Sequence, residues 1–233
     1  ELDYKLNKLY TFFREKVVYQ VSINVYFQHG NLSLENMLKH EYTKTFFPEQ
    51  CSLAITGQTY QETTITSEIN YQSILTTSTK SFSFKNFDIS AVGGTFDHMH
   101  DGHKILLAIA IFLTKKKLII GLTCDELLIN KKFKDQLQPY EVRNTEVLKF
   151  VKKMDSSVEY DVLAIRDVCG PTGYEPNIQA LIVSKETKKG GEIINEVRRG
   201  KGMKELEVFV MDILGGDEKL SSTTLRQIEA EKK

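Results

Sequence analysis

The chain has little that would mark a specialised surface. Among its 233 residues there is no tryptophan, there are four prolines and three cysteines, and 31 Lys or Arg balance 31 Asp or Glu. A zero formal charge argues against a general nucleic-acid binder or a polybasic membrane anchor, because phosphate and anionic lipid both demand an excess of cations. Cys51, Cys124 and Cys169 are far apart and lack C-x-x-C spacing, which argues against a zinc knuckle or a disulfide framework and favours reduced, intracellular thiols. The longest uninterrupted apolar stretch, Ile105 to Leu113, falls far short of the roughly 20 residues that span a bilayer. No signal peptide is visible, and because the chain begins at Glu1 rather than Met the first residues carry little weight on that point. What is present is uneven: three of the five histidines, His98, His100 and His103, fall within six residues.

Charge divides the chain. Residues 1 to 85 hold 16 charged side chains and the rest hold 46. Residues 51 to 84 carry only Glu62, Glu68 and Lys80 but fourteen Ser or Thr, a composition that reads as a linker or exposed insertion, with Thr-rich edge strands as the alternative. Upstream, Tyr19, Val21, Ile23, Val25 and Phe27 alternate with polar residues and suit a half-buried strand. Ser33 could cap a short helix carrying Leu34, Met37, Leu38 and Tyr42 on one face. The expected organisation is therefore an amino-terminal region, 1 to 85, of unassigned role, and a second domain, 86 to 233.

In that second part, strands alternate with helices, the pattern of a parallel sheet covered on both faces. Strands are expected at Ile89 to Phe96, Lys117 to Thr123, Glu159 to Ile165, Ile178 to Ser184 and Leu206 to Met211. Helices are expected at Gly102 to Leu113, from Pro139, at about Gly191 to Arg199 and after Ser221.

Gly93-Gly94-Thr95-Phe96-Asp97-His98-Met99-His100-Asp101-Gly102-His103 lies between the first of these strands and its helix, where open parallel sheets bind ligands. Two glycines permit close backbone approach, the helix start offers unpaired N–H groups, and His100 and His103 at i, i+3 share a face. Gly102 between them leaves room for a flat nucleotide. The chemistry this favours is phosphate binding.

The segment resembles the H-x-G-H nucleotidyltransferases, in particular the pantetheine-phosphate adenylyltransferases of eukaryotic and archaeal type, whose catalytic domain begins G-G-T-F-D-x-x-H-x-G-H. Ser221-Ser222-Thr223-Thr224-Leu225-Arg226 resembles their S-S-T-x-x-R signature. Gly121 to Glu126, Gln138-Pro139-Tyr140-Glu141-x-Arg143, Val183 to Thr187 with Gly190-Gly191, and Asn195-x-x-Arg198 match as well, so the likeness covers roughly Phe87 to Glu229. It implies a Rossmann-like α/β fold and transfer of an adenylyl group from ATP to 4′-phosphopantetheine, giving dephospho-coenzyme A and pyrophosphate in a cytoplasmic coenzyme A pathway.

By that resemblance His103 and His100 are catalytic contacts to the reacting phosphate. Thr95 holds the incoming phosphate, and either Lys131 or Lys132 supplies the mobile lysine. Arg198, or its neighbour Arg199, takes a phosphate across the cleft. Gly93, Gly94, Thr95, Phe96, Gly102 and His103 line the ATP site, and Ser221, Ser222, Thr223 and Thr224, with Arg226 one turn on, hold the β- and γ-phosphates. Asp97 and Asp101 are the natural metal candidates, yet a carboxylate in a tight turn more often caps the next helix, so magnesium is expected on ATP rather than in a protein cage and no metal ligand is assigned. His98 receives no role.

Competing readings remain open at this stage. Lys131, Lys132 and Lys134 could be a solvated run, and Ser221 to Thr224 an N-cap. Cytidylyltransferases end in R-T-x-G-I-S-T-S where this chain has Leu220-Ser221-Ser222-Thr223, and a nicotinamide-nucleotide adenylyltransferase is a further relative. Class I aminoacyl-tRNA synthetases need a K-M-S-K-S loop that is missing. A non-catalytic nucleotide or coenzyme A module, or a zinc site on His98, His100 and His103 without cysteine, is the alternative of a different kind. No P-loop occurs, so the following kinase step is expected of another protein, with which this one could associate.

Overall fold

The computed structural model describes residues 87–213 and 221–231 continuously, and residues 3, 4, 6–8, 10, 11, 24, 25, 45–47 and 62–64 outside them. The chain divides into two compact units, one of residues 1–26 with 84–233 and one of residues 27–83. The edge expected at 85/86 from charge density falls beside the second of these boundaries, while the first 26 residues join the larger unit.

In the smaller unit, β1 (Thr45–Phe47) pairs in parallel with β2 (Glu62–Thr64), so a short strand lies inside the stretch read as linker-like. The strand expected at residues 19–27 and the helix expected at 34–42 lie outside the described residues, Asn24 and Val25 excepted.

The larger unit is a five-stranded, all-parallel sheet of order β5-β4-β3-β6-β7, built from β3 (Phe87–Gly94), β4 (Thr114–Thr123), β5 (Glu159–Ile165), β6 (Ala180–Ser184) and β7 (Glu207–Met211). Among the described residues from Phe87 onward, the α-helices that accompany it are α1 (Asp101–Leu113), α2 (Tyr140–Met154), α3 (Lys188–Gly200) and α4 (Ser222–Glu231). The α/β class and each expected strand and helix of this part are present, with ends shifted by a few residues. Pro139 sits at the N-cap of α2, and its carbonyl accepts the Val142 and Arg143 amides.

The physical reason for the arrangement is in the strands. Parallel strands covered on both faces read as near-continuous apolar runs, as in Leu118-Ile119-Ile120 and Leu181-Ile182-Val183. From the central β3, successive connections run outward to β4 and β5 and then, past β3, to β6 and β7. Right-handed crossovers in opposite directions put the helices on opposite faces. Ala91, Ile119, Leu181, Val183 and Ile194 form the core under α3. α1 packs on β3, β4 and β6 and against α2, which explains why it is apolar almost all round. The order reverses between β3 and β6, and ligands of open α/β sheets bind beyond the strand ends at that point. Among the described residues no helix is long and apolar enough to cross a membrane.

Candidate functional site

Glycine shapes the ends of the two central strands. Gly93 of β3 lies in register with Gly121 of β4, and a Cβ built on Gly93 would meet nothing nearer than the Gly121 carbonyl at 3.7 Å. The backbone is open there, as a phosphate site needs. Gly94 is different: a Cβ would lie 3.1 Å from the Phe96 ring, so its missing side chain accommodates a neighbour in the protein.

Beyond β3 the chain turns through two left-handed residues, Phe96 at φ 48° and His98 at φ 46°. Such a conformation is costly for a side chain and persists only when its surroundings enforce it. Phe96 is fully buried, with its ring centroid 5.3 Å from that of His103. It backs the histidine rather than lining the ATP site as expected. His98, given no role from sequence, fastens three segments: its amide donates to Gln138 Oε1 at 2.7 Å, its Nε2 donates to the Gln136 carbonyl at 2.8 Å, and its Nδ1 lies 3.4 Å from Glu229 on α4.

His100 is the N-cap of α1. Its Nδ1 accepts the Gly102 amide at 3.2 Å and its carbonyl accepts the Lys104 amide, which leaves the ring proton on Nε2. One turn on, the His103 ring stacks on His100 at 3.9 Å. The His103 Nδ1 is buried and has no hydrogen-bond partner among the described residues. Burial first, then the neighbouring His100 and His98, hold the His103 pKa well below the ordinary imidazole value, so the ring is neutral at pH 7. A neutral imidazole offers one N–H and one acceptor to a ligand.

Gly102 does not provide the nucleotide space that the sequence suggested. A Cβ there would fall 2.8 Å from Ile213 Cγ2 and 3.1 Å from His100 Cε1, so protein already fills the position. Gly102→Ala is expected to destabilise the chain by about 1 to 3 kcal/mol by pushing the α1 start from its place, and Ile213→Ala in the same chain to recover part of it. Urea midpoints of the two variants decide this; an undisturbed Gly102→Ala chain would mean that the contact is slack.

Asp97 is a fully buried hub. Its Oδ1 accepts the Gln138 amide at 3.0 Å and its Oδ2 pairs with Arg226 at 2.5 Å, while its carbonyl accepts Ser222 Oγ at 2.8 Å. Arg226 also donates to the Lys132 carbonyl at 3.0 Å and to Thr223 Oγ1 at 3.2 Å. Arg226 is thus a strut that seats α4 and the lysine loop on the motif, not an open phosphate ligand. Ser221 is the N-cap, its Oγ accepting the Thr224 amide, and its hydroxyl also pairs with that of Thr224 at 2.9 Å. The side chains of Lys131 and Lys132 are exposed beside this helix start.

Arg143 is a residue whose role sequence reasoning missed. Wholly buried, it donates to the carbonyls of Gln138, Thr95 and Thr123 at 2.8 to 3.0 Å and pairs with Asp125 at 2.5 Å. The ends of β3 and β4 and the start of α2 are held by one guanidinium, because loop carbonyls away from water need donors. A signal existed: Arg143 stands on the stripe of Val147, Val151 and Met154.

Arg198 is placed away from this cluster. It is fully buried and donates to the carbonyls of Lys204, Thr172 and Glu175 at 2.7, 2.7 and 3.0 Å, with longer contacts to Pro176 and Ile178. Its donors go to carbonyls of the β5–β6 connection and, from Nε, of the α3–β7 connection, which is a structural role in place of the phosphate contact expected of it. Arg199 is exposed, 3.4 Å from Glu205. The histidines, Thr95, Asp97, the Lys131–Lys132 loop and the start of α4 meet at one strand-end cluster; Arg198 stands outside it.

Comparison with known proteins places this cluster in context. Residues 91–228 match the family described as cytidylyltransferase-like. A phosphopantetheine adenylyltransferase of Saccharomyces cerevisiae is 49% identical over 148 residues, 61% of this chain and 48% of that protein. One of Thermococcus kodakarensis is 37% identical over 144 residues, 61% of this chain and 86% of that protein. A solved structure of a protein with unknown function from Archaeoglobus fulgidus is 28% identical, with TM-score 0.47, over 55% of this chain and 99% of its own. The chain spans about half the length of the yeast relative.

Proposed function

The chain belongs to the cytidylyltransferase-like family, and on that footing we propose that it transfers the adenylyl group of ATP to 4′-phosphopantetheine, giving dephospho-coenzyme A and pyrophosphate in coenzyme A biosynthesis. The observation that carries this reading is the stacked pair His100 and His103 at the β3/β6 reversal, with its neutral His103. The names of the yeast and archaeal relatives supply the acceptor.

An oxygen of the acceptor phosphate attacks the α-phosphorus of ATP. As that P–O bond forms, the bond to the oxygen bridging to the β-phosphorus breaks, and pyrophosphate leaves with that electron pair. No covalent intermediate on the protein is needed, so the residues align two anions and stabilise charge on the α-phosphate. His103 donates a ring N–H to the α-phosphate, and the Nε2–H of His100 lies beside it. A neutral His103 suits this task, because it responds to developing charge without a proton being lost. Thr95 holds the incoming phosphate over the open Gly93, and Lys131 or Lys132 approaches from the exposed loop. Ser221 to Thr224 present hydroxyls and helix N–H groups to the β- and γ-phosphates.

Magnesium enters this reading as part of the substrate Mg-ATP. Asp97, the carboxylate nearest the motif histidines in sequence that is fully buried, is already engaged by Arg226 and the Gln138 amide. A cytoplasmic setting and association with other coenzyme A enzymes belong to the same proposal.

Purified protein given Mg-ATP is expected to release pyrophosphate with 4′-phosphopantetheine and not with nicotinamide mononucleotide, and to prefer ATP over CTP. Pyrophosphate release with a different acceptor alone would overturn the substrate and leave the fold untouched.

A further inference from the structure

Residues 3–11 lie outside the segment that matches the family, yet Asp3 and Asn7 among them reach the strand end that carries the motif. Leu6 and Tyr10, four apart on one helical face, are both buried. Next to them Asn7 Nδ2 donates to the carbonyl of Asp212 at 2.5 Å, and the amide of Asp212 donates to Asp3 Oδ2 at 3.1 Å. Both backbone polar groups of one residue are therefore held by side chains 205 and 209 positions earlier. Asp212 directly follows β7, where the ladder has ended and its backbone would otherwise turn to water. Its carboxylate takes Lys185 Nζ at 2.6 Å from the first residue beyond β6. The next residue, Ile213, fills the space over Gly102 beside His100.

A line of direct contacts thus runs from Asp3 and Asn7 through Asp212 and Ile213 to the glycine between the two motif histidines. Ile213 can back Gly102 only while the chain after β7 keeps its course, and the two amino-terminal side chains hold that course. We propose that residues 3–11 are a positioning strap for the His100-Asp101-Gly102-His103 turn, a role that rests on the adenylyl-transfer reading. The strap touches no reacting group; it sets residues 212 and 213, and they set the start of α1.

The double variant Asp3→Ala/Asn7→Ala in the full chain leaves Leu6 and Tyr10 in place. Its kcat is expected to fall about tenfold while KM for ATP stays within about twofold, the split that separates alignment from uniform binding. Amide hydrogen exchange is expected to quicken at Gly102, Lys104 and Asp212, with β4 and β5 unchanged. Exchange that rises equally over all five strands would overturn the proposal, because the segment would then be a general stabiliser. Local exchange changes with kcat intact would overturn it too. A wild-type chain that releases no pyrophosphate with any acceptor would defeat the adenylyl-transfer reading, and exchange at Gly102 would still decide whether the strap holds the turn.

Discussion

His103→Ala is expected to lower kcat about a thousandfold, the scale seen when a donor aimed at developing charge is removed, while the KM for ATP changes by less than about threefold. The reason lies in where the ring sits. Phe96 and His100 pack against it, burial keeps it neutral, and its Nδ1 is shut off from water, so its hydrogen-bonding capacity is directed rather than shared. In the proposed reaction ground-state ATP is also held by the start of α4, so binding is expected to survive where alignment does not. Pyrophosphate release measured against both substrates checks this, and a variant with near-normal kcat would remove His103 from the reaction.

The same ring leaves a mark on stability. Its pKa in the folded chain is lowered, so as pH drops through about 6.5 the unfolded state takes up a proton that the folded state refuses. Stability therefore falls with pH from there down to the folded-state pKa, and this loss is absent above the unfolded value. His103→Gln is expected to flatten the dependence of the urea midpoint between about pH 7 and 5; parallel slopes for both proteins would contradict the buried neutral ring.

Arg226→Met is expected to cost about 3 kcal/mol, at the lower end for breaking a buried ion pair and leaving Asp97 without its partner, and to lower Tm by about 6 to 12 °C for a chain of this size. The larger effect is on assembly of the site. Arg226 joins Asp97 in the motif loop, the Lys132 carbonyl and Thr223 of its own helix, so its loss releases α4 and the lysine loop together. KM for ATP is expected to rise about tenfold through the phosphate-binding helix start. Arg226→Lys should rescue little, because one ammonium cannot reproduce a planar fork aimed at three acceptors. Kinetics with thermal melts test the pair of effects, and a Lys variant equal to wild type would reduce Arg226 to a simple charge.

The strap and the Arg226 strut act on the same strand-end cluster from opposite termini. The amino-terminal residues fix the chain after β7 against Gly102, and the carboxy-terminal helix is fixed through Asp97, five residues earlier in the motif. The catalytic turn is in this way held by segments that local sequence would leave unconnected.

Two arginines show where sequence reading stops. Arg143 and Arg198 both fall on the apolar stripes of their helices, one with Val147, Val151 and Met154 and the other with Gly191 and Ile194. A cation on such a stripe is a sign of burial, yet beside a phosphate-binding motif it also reads as a phosphate ligand. Only the loop carbonyls that converge on Arg198 decide between these roles, and they come from residues 20 to 26 positions away and from Lys204. Gly102 is similar: a glycine between two histidines looks like space, and Ile213, 111 positions later, occupies it.

The order of strands and helices, the position of the motif at a strand end and its likeness to the H-x-G-H enzymes were determined by sequence alone, because hydrophobic period and local turn chemistry act over a few residues. The tertiary structure decided which polar groups remain for a ligand. Burial makes most carbonyls and carboxylates find a partner, and at this site those partners arrive through contacts whose sequence separation no local pattern records. His98, Arg143, Arg226 and residues 3–11 acquire their roles there, and Arg198 loses the one it was expected to have.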